Sequence, residues 1–406
     1  MKRILIISST KTGHGHSSIA NALTEQLISL YPDVKVDVVD GFLFLGRLGV
    51  KASGIYGPIS RWGVQFWELN WKITTNNSEA WKQTTSLLIH DRFMQHIKNN
   101  PPNLIVSVHP MFNASIVSNL KDNGIDIPFI TLLADLVDIH PLWVDKRADC
   151  ILCPTEESVA ACTALGVSPS ILRRCDFPIR RSFTEAAKQM ARKPYTGDRP
   201  LECLLMSGGE GSGNLKIIAK LILKNFNSHV TVICGRNKAL KTLLENQLSR
   251  FDNKKIKILG FCTNVQDYMM KADVTIMRGS PNSMLEAVMC NSPLIITGSM
   301  PGQEASNPEY AQKNGLAVTC RDLKQLVPVL RGLLSNNAAG LNSIMEKQRA
   351  FRNFDSAAEI AKILMEYVIE TPPVISDFEY CFPLFMQAVE LYRKLEKTST
   401  KHRKRK

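Results

Sequence analysis

Lys2-Arg-Ile-Leu-Ile-Ile-Ser-Ser9, Thr12-Gly-His-Gly-His16 and Ser17-Ser-Ile-Ala-Asn-Ala-Leu23 together decide the fold. A short apolar run that turns on glycines into an amphipathic stretch opens a βα unit. The run is shorter than the core of a signal peptide and meets Lys11 at once, so it reads as a first strand and the chain as cytoplasmic. Outward from this unit the pattern repeats. Val34–Val39, Leu104–Val108, Phe129–Leu133 and Ile151–Cys153 read as further strands, most of them separated by helical patterns. A second set follows at Glu202–Met206, Val230–Cys234, Ile256–Leu259, Val274–Met277, Leu294–Thr297 and Leu316–Val318. Strands alternating with helices predict an α/β protein with two Rossmann-like domains, whose parallel sheets face a central cleft. The residues between the two sets, Phe177–Pro200, carry three prolines, Gly197 and clustered Arg and Lys, the composition of a linker. The expected division is 1–177, a linker at 178–200, 201–372, and a C-terminal helix and basic tail at 373–406.

The chain has 406 residues, 44% of them hydrophobic and 21% charged, more than one hydrophobic core usually serves. No segment reaches the ~18 uninterrupted apolar residues of a membrane span. Ten cysteines lack paired spacing except Cys150-Ile-Leu-Cys153, and that pair lies in a strand pattern that points alternate side chains apart. They read as reduced thiols, with no metal. The net charge of +13 is partly the tail Lys401–Lys406, and it suits phosphates and anionic headgroups. Nucleic acid is not expected, because no aromatic-basic interleaving or zinc spacing of the kind that would support that reading is seen. Gly41–Thr75 breaks the βα pattern: Trp62, Phe66, Trp67 and Trp71 stand among Arg47, Lys51, Arg61 and Lys72. Such a mixture suits either a membrane interface or a flap buried over the core.

In parallel α/β sheets, ligands sit beyond the carboxyl ends of the strands. Four loops there carry chemistry. Gly13–His16 brings two imidazoles to a glycine turn, and Ser207-Gly-Gly-Glu-Gly-Ser-Gly213 has the glycine density of a phosphate seat at a helix start. Arg278-Gly-Ser-Pro-Asn-Ser-Met-Leu-Glu286 and Gly298–Asn307 cluster hydroxyls, amides and carboxylates of the kind that bind sugar and ribose hydroxyls. Capping and turn chemistry account for each such residue singly, but not for their clustering after consecutive strands. Asp135 and His140 in Ala134–Trp143 fall at the rim of the first sheet, with Asp135 either a cap or a catalytic group.

At these residues the chain resembles the monogalactosyldiacylglycerol synthase and processive diacylglycerol glucosyltransferase family, within glycosyltransferase family 28. The resemblance covers about residues 1–370 and rests on Gly13–His16, Pro102–Pro110, Asp135 with His140 and Trp143, Pro154–Glu157, Phe177–Arg180, Gly208–Gly211, Cys234–Asn237, Gly260-Phe261, Glu286-Ala287, Pro301–Glu304 and Asn307. It implies the GT-B fold and inverting transfer of a hexose, galactose or glucose, from a UDP-sugar to diacylglycerol at an anionic membrane surface. No cofactor is implied, UDP-sugar being a substrate. Carried over, Asp135 and His16 become the catalytic positions, Asp135 the base and His16 its orienting or proton-sharing partner, without deciding between them. Gly208, Gly209, Gly211 and Ser283 would meet the diphosphate, the Phe261 backbone uracil, Glu286 the ribose, and Gln303 and Glu304 the sugar, with Asn307 beside them. Trp62, Phe66, Trp67 and Trp71 fall in the acceptor and membrane region. The enzyme would therefore be peripheral on the membrane. The family's Lys-Pro-Gly-Gly-Leu-Thr run is replaced by Arg278–Ser283. Competing readings are a nucleotide-sugar epimerase and a UDP-sugar-binding protein without turnover.

Overall fold

The computed structural model describes residues 1–10, 15–46, 71–190, 194–206 and 214–378. Trp62, Phe66, Trp67, Gly208, Gly209, Gly211, most of Gly41–Thr75 and the basic tail lie outside the described residues.

The chain forms two six-stranded parallel sheets. The first contains β1 (Lys2–Ser8), β2 (Val34–Asp40), β3 (Leu104–Ser107), β4 (Phe129–Leu132), β5 (Cys150–Cys153) and β6 (Leu172–Arg174), in the order β2-β1-β3-β4-β5-β6. Ile4 to Ile7 of β1 are all at most 1% exposed, which explains the unbroken apolar run: a parallel strand covered on both faces has no side to give to polar residues. The second sheet contains β7 (Leu201–Met206), β8 (Ser228–Ile233), β9 (Ile256–Leu259), β10 (Val274–Met277), β11 (Leu294–Ile296) and β12 (Ala317–Thr319), in the order β12-β11-β10-β7-β8-β9. Eleven of these strands sit where the apolar runs place them. The twelfth, β6, reads Leu-Arg-Arg and lies at the sheet edge, where polar side chains are tolerated.

Helices connect the strands. Those that position the site are α1 (Gly15–Leu30), between β1 and β2, and α2 (Pro281–Met289), between β10 and β11. Within 178–200, Arg181–Gln189 is itself a helix. The last helix among the described residues, α3 (Ser356–Glu366), follows the second sheet in sequence yet packs along α1; the C-terminal helix expected within 373–406 falls mostly outside the described residues. Beyond it the chain stays on the first half: Asn103 Nδ2 donates to the Ile369 carbonyl at 2.8 Å, and Arg173 pairs with Glu366. One apolar cluster consequently runs through the first half into the facing side of the second, taking in Met284, Leu285, Val288 and Tyr310.

Candidate active site

His16 is the second residue of α1. Its Nδ1 lies 2.6 Å from the Val108 carbonyl oxygen. A carbonyl only accepts, so Nδ1 carries the proton and Nε2 keeps its lone pair. The ring packs against His109, with centroids 4.5 Å apart, and against Trp143 at 6.1 Å. Burial lowers the His16 pKa to about 4 despite the opposing pull of the Val108 carbonyl. Burial also takes His109 well below its ordinary value, with His16 adding to the effect. Both imidazoles are therefore neutral at physiological pH.

Asp135 follows β4 and is 8% exposed. Its Oδ2 accepts the Trp143 indole N–H at 2.6 Å. Burial raises its pKa to about 7, a rise opposed by the Trp143 hydrogen bond and assisted by the negative charges of Glu304 and Asp138. Trp143 thus has His16 against its ring and Asp135 on its nitrogen, which brings the two expected catalytic residues to one side chain. The indole is fully buried, and the Trp143 carbonyl accepts from Asn113 Nδ2 at 2.8 Å. His140 caps the turn that carries Trp143. Its Nδ1 accepts the Leu142 N–H at 3.1 Å, and its Nε2 lies 3.1 Å from Thr74 Oγ1. Its pKa falls to about 4, chiefly through burial, so it caps as a neutral ring.

Glu286 lies in α2 and is 6% exposed. Its Oε1 accepts from Arg180 Nε at 3.0 Å and Nη2 at 2.8 Å, and from Ser18 Oγ of α1 at 3.3 Å. Burial raises its pKa while Arg180 and Ser18 oppose the rise. The start of α1 runs against the start of α2: a methyl group on Gly15 would come within 2.7 Å of Asn282 Nδ2. Two helix N-termini therefore meet where the sheets face each other, and Ser283 lies in the first turn of α2. Glu304 Oε2 accepts from the Met300 N–H at 2.9 Å and from Arg278 Nη2 at 3.3 Å. Gln303 stands half-buried beside it. Asn307 is buried and turned onto its own half, its Nδ2 donating to the Gly279 carbonyl at 2.8 Å. Phe261 follows β9 and is 55% exposed, with the Arg236 guanidinium 5.1 Å from its ring centre.

Sequence reasoning passed over three residues. Ser18 and Arg180 hold Glu286, and Asp138 spans the halves, its carboxylate accepting from the Ser306 N–H at 2.7 Å and Oγ at 2.9 Å. Arg180 closes the Phe-Pro-Ile-Arg run and Asp138 shares a motif with Asp135, so a signal existed for both. Among the described residues, no three His, Cys, Asp or Glu side chains gather to hold a metal.

A family profile described as monogalactosyldiacylglycerol (MGDG) synthase matches residues 16–179, and one described as glycosyl transferases group 1 matches 214–336. The chain is 27% identical over 405 residues to monogalactosyldiacylglycerol synthase 2, chloroplastic, of Arabidopsis thaliana, covering 92% of this chain and 83% of that one. Among solved structures, Acinetobacter baumannii MurG superposes with a TM-score of 0.60 at 14% identity, covering 90% of this chain and 100% of that one. S. aureus MnaA, solved with UDP, gives the same TM-score and identity over 93% and 100%. At such identity these two speak for the fold alone, and the pair of facing parallel sheets is GT-B.

Proposed function

Because the chain belongs to the monogalactosyldiacylglycerol synthase family of glycosyltransferases, we propose that it moves a hexose, galactose or glucose, from a UDP-sugar to the free hydroxyl of diacylglycerol with inversion. The observation that carries this reading is the joining of Asp135 and His16 through Trp143, on the rim that faces the meeting point of α1 and α2. Asp135 takes the proton of the acceptor hydroxyl as that oxygen attacks the anomeric carbon. The bond to the diphosphate breaks on the opposite face and UDP departs. A base with a pKa of about 7 suits this work, being ionised in part at neutral pH yet basic enough to accept the proton. His16, neutral and with its lone pair on Nε2, orients the hydroxyl or shares the proton.

On the donor side, Glu286 holds the ribose, and Gln303 and Glu304 the sugar. The Phe261 backbone meets uracil. Ser283, the converging helix N-termini and Gly208, Gly209 and Gly211 stabilise the departing diphosphate. Asn307 supports this site through the Gly279 carbonyl. Trp62, Phe66 and Trp67 meet the anionic lipid surface that presents the acceptor, so the enzyme is peripheral; no described helix is long and apolar enough to cross a membrane. Labelled UDP-galactose and UDP-glucose, each with vesicles containing diacylglycerol, test the reading. Labelled monoglycosyldiacylglycerol is the expected product. Epimerised nucleotide sugar, or binding without product, would replace it with one of the competing activities.

A further inference from the structure

Trp71 closes the aromatic segment, yet its ring is turned into the molecule. The indole stands edge to face against His140 of the first half, with ring centres 4.5 Å apart and planes at 79°. The ring also lies against the backbone of the second half: a methyl group on Gly302 would come within 2.6 Å of it. Gly302 has φ +81°, and only glycine supplies that conformation and the flat surface together. The Trp71 carbonyl is held by Thr75 Oγ1 at 2.7 Å and Thr74 Oγ1 at 3.1 Å, and Thr74 reaches His140 in turn. The indole is thus clamped between the turn that carries Trp143 and the loop that carries Gln303 and Glu304. Two residues beyond Gly302, Glu304 turns back onto Met300 and Arg278 of its own half. Across the cleft, at Ser306, Asp138 ties the far end of the same loop.

We infer that Trp71 is a positioning residue for the donor sugar: its ring, seated on Gly302 and backed by His140, holds the Pro301–Glu304 loop in the shape that receives the hexose. This rests on the donor-side reading above. The segment that meets the acceptor lipid ends in the residue that shapes the sugar site, so the two substrates are coupled through one side chain. UDP alone, held by groups elsewhere, is indifferent to Trp71, whereas UDP-hexose requires it.

The experiment compares the full chain with Trp71→Ala, Trp71→Phe and Gly302→Ala, measuring affinity for UDP and for UDP-galactose or UDP-glucose together with initial rates of transfer. Trp71→Ala is expected to weaken the UDP-hexose and raise its KM by roughly tenfold, the size of a lost aromatic contact, with UDP affinity and vesicle binding unchanged. Trp71→Phe keeps a ring on His140 and restores most of the loss. Gly302→Ala reproduces the defect, and combining it with Trp71→Ala costs less than the sum of the two, since both break one contact. A variant that folds, keeps the parental preference for UDP-hexose over UDP and loses vesicle binding overturns the inference and makes Trp71 a lipid anchor. Equal losses for UDP and UDP-hexose overturn it in favour of general support of the fold. A parent chain that transfers no hexose overturns the activity itself, and this inference with it.

Discussion

At the scale of single residues, the site depends on how burial divides the protons. Asp135 and His16 border the same indole, yet burial raises the acid to about 7 and lowers the imidazole to about 4. Each is pushed toward its neutral form, as desolvation requires. With Asp135 as the base, initial rate at saturating donor should rise with pH through a limb near 7. Asp135→Asn should abolish that limb and lower turnover by ~10²–10⁴, while His16→Ala should keep the limb at reduced rate. A parental limb near 4 would transfer the role to His16. The same shift has a consequence for stability. The folded state holds the Asp135 proton above the ordinary 3.8, so this group's contribution is complete below pH 3.8 and is lost as pH rises through about 7. Thermal unfolding of Asp135→Asn should therefore exceed the parent's midpoint at pH 8 by more than at pH 4. Glu286→Ala should weaken UDP by about 1.5–3 kcal/mol in calorimetry, since a buried charged acceptor is removed; unchanged affinity would reject the ribose assignment. The positions of Asp135, His16 and Glu286 were legible as polar residues after strands. Trp143 and Arg180 stood in visible motifs, but their pairing with Asp135 and Glu286, like that of Val108 with His16, was not legible, because a contact made across the fold leaves no mark on the spacing of the residue it serves.

At the scale of elements, the apolar runs were legible because a doubly covered parallel strand has little room for polar side chains, as Ile4–Ile7 and Leu294–Ile296 show. Edge strand β6 was not legible: its Leu-Arg-Arg needs burial on neither face, and only the register Ile151↔Leu172 makes it a strand. The destination of α3 was also hidden. Ser356–Glu366 has the apolar stripe of any packed helix, and nothing in that stripe says which sheet it will cover. The structure answers with Ile360 and Leu364, both fully buried in the cluster that α1 shares. Ile360→Ala or Leu364→Ala should each cost about 2–5 kcal/mol, read as a shift in urea midpoint. Because α3 joins the end of the second half to the first, the loss should appear when the first half is probed. A variant that unfolds only the second half would show that α3 belongs there.

At the scale of the whole molecule, the described residues of the two halves meet through a shared apolar cluster and through contacts that include Ser18 with Glu286, Asp138 with Ser306, and Trp71 on Gly302. Sequence alone anticipated a cleft with loops on both sides, but polar contacts across it arise only when separate loops are brought together. The net charge of +13 belongs to this scale as well. A chain so basic is drawn to anionic lipid, and each Lys or Arg near such a surface contributes about 1 kcal/mol, screened within a Debye length. Arg47, Lys51, Arg61 and Lys72 accompany the aromatic residues of Gly41–Thr75, so under the proposed function attraction and insertion would share one stretch. Binding to vesicles containing anionic lipid should therefore be released by salt, and neutral vesicles should hold the protein poorly. Rings and charges should separate under mutation. Replacing Trp62 and Trp67 with serine should lower vesicle affinity at every salt concentration, because apolar burial is not screened. Replacing Arg47, Lys51 and Arg61 with glutamine should flatten the salt dependence instead. Cosedimentation with vesicles at increasing salt reads both slopes. If neither set of replacements alters binding in variants that keep the parental unfolding midpoint, the lipid surface is met elsewhere on the molecule, and Gly41–Thr75 is the buried flap that its composition equally allows.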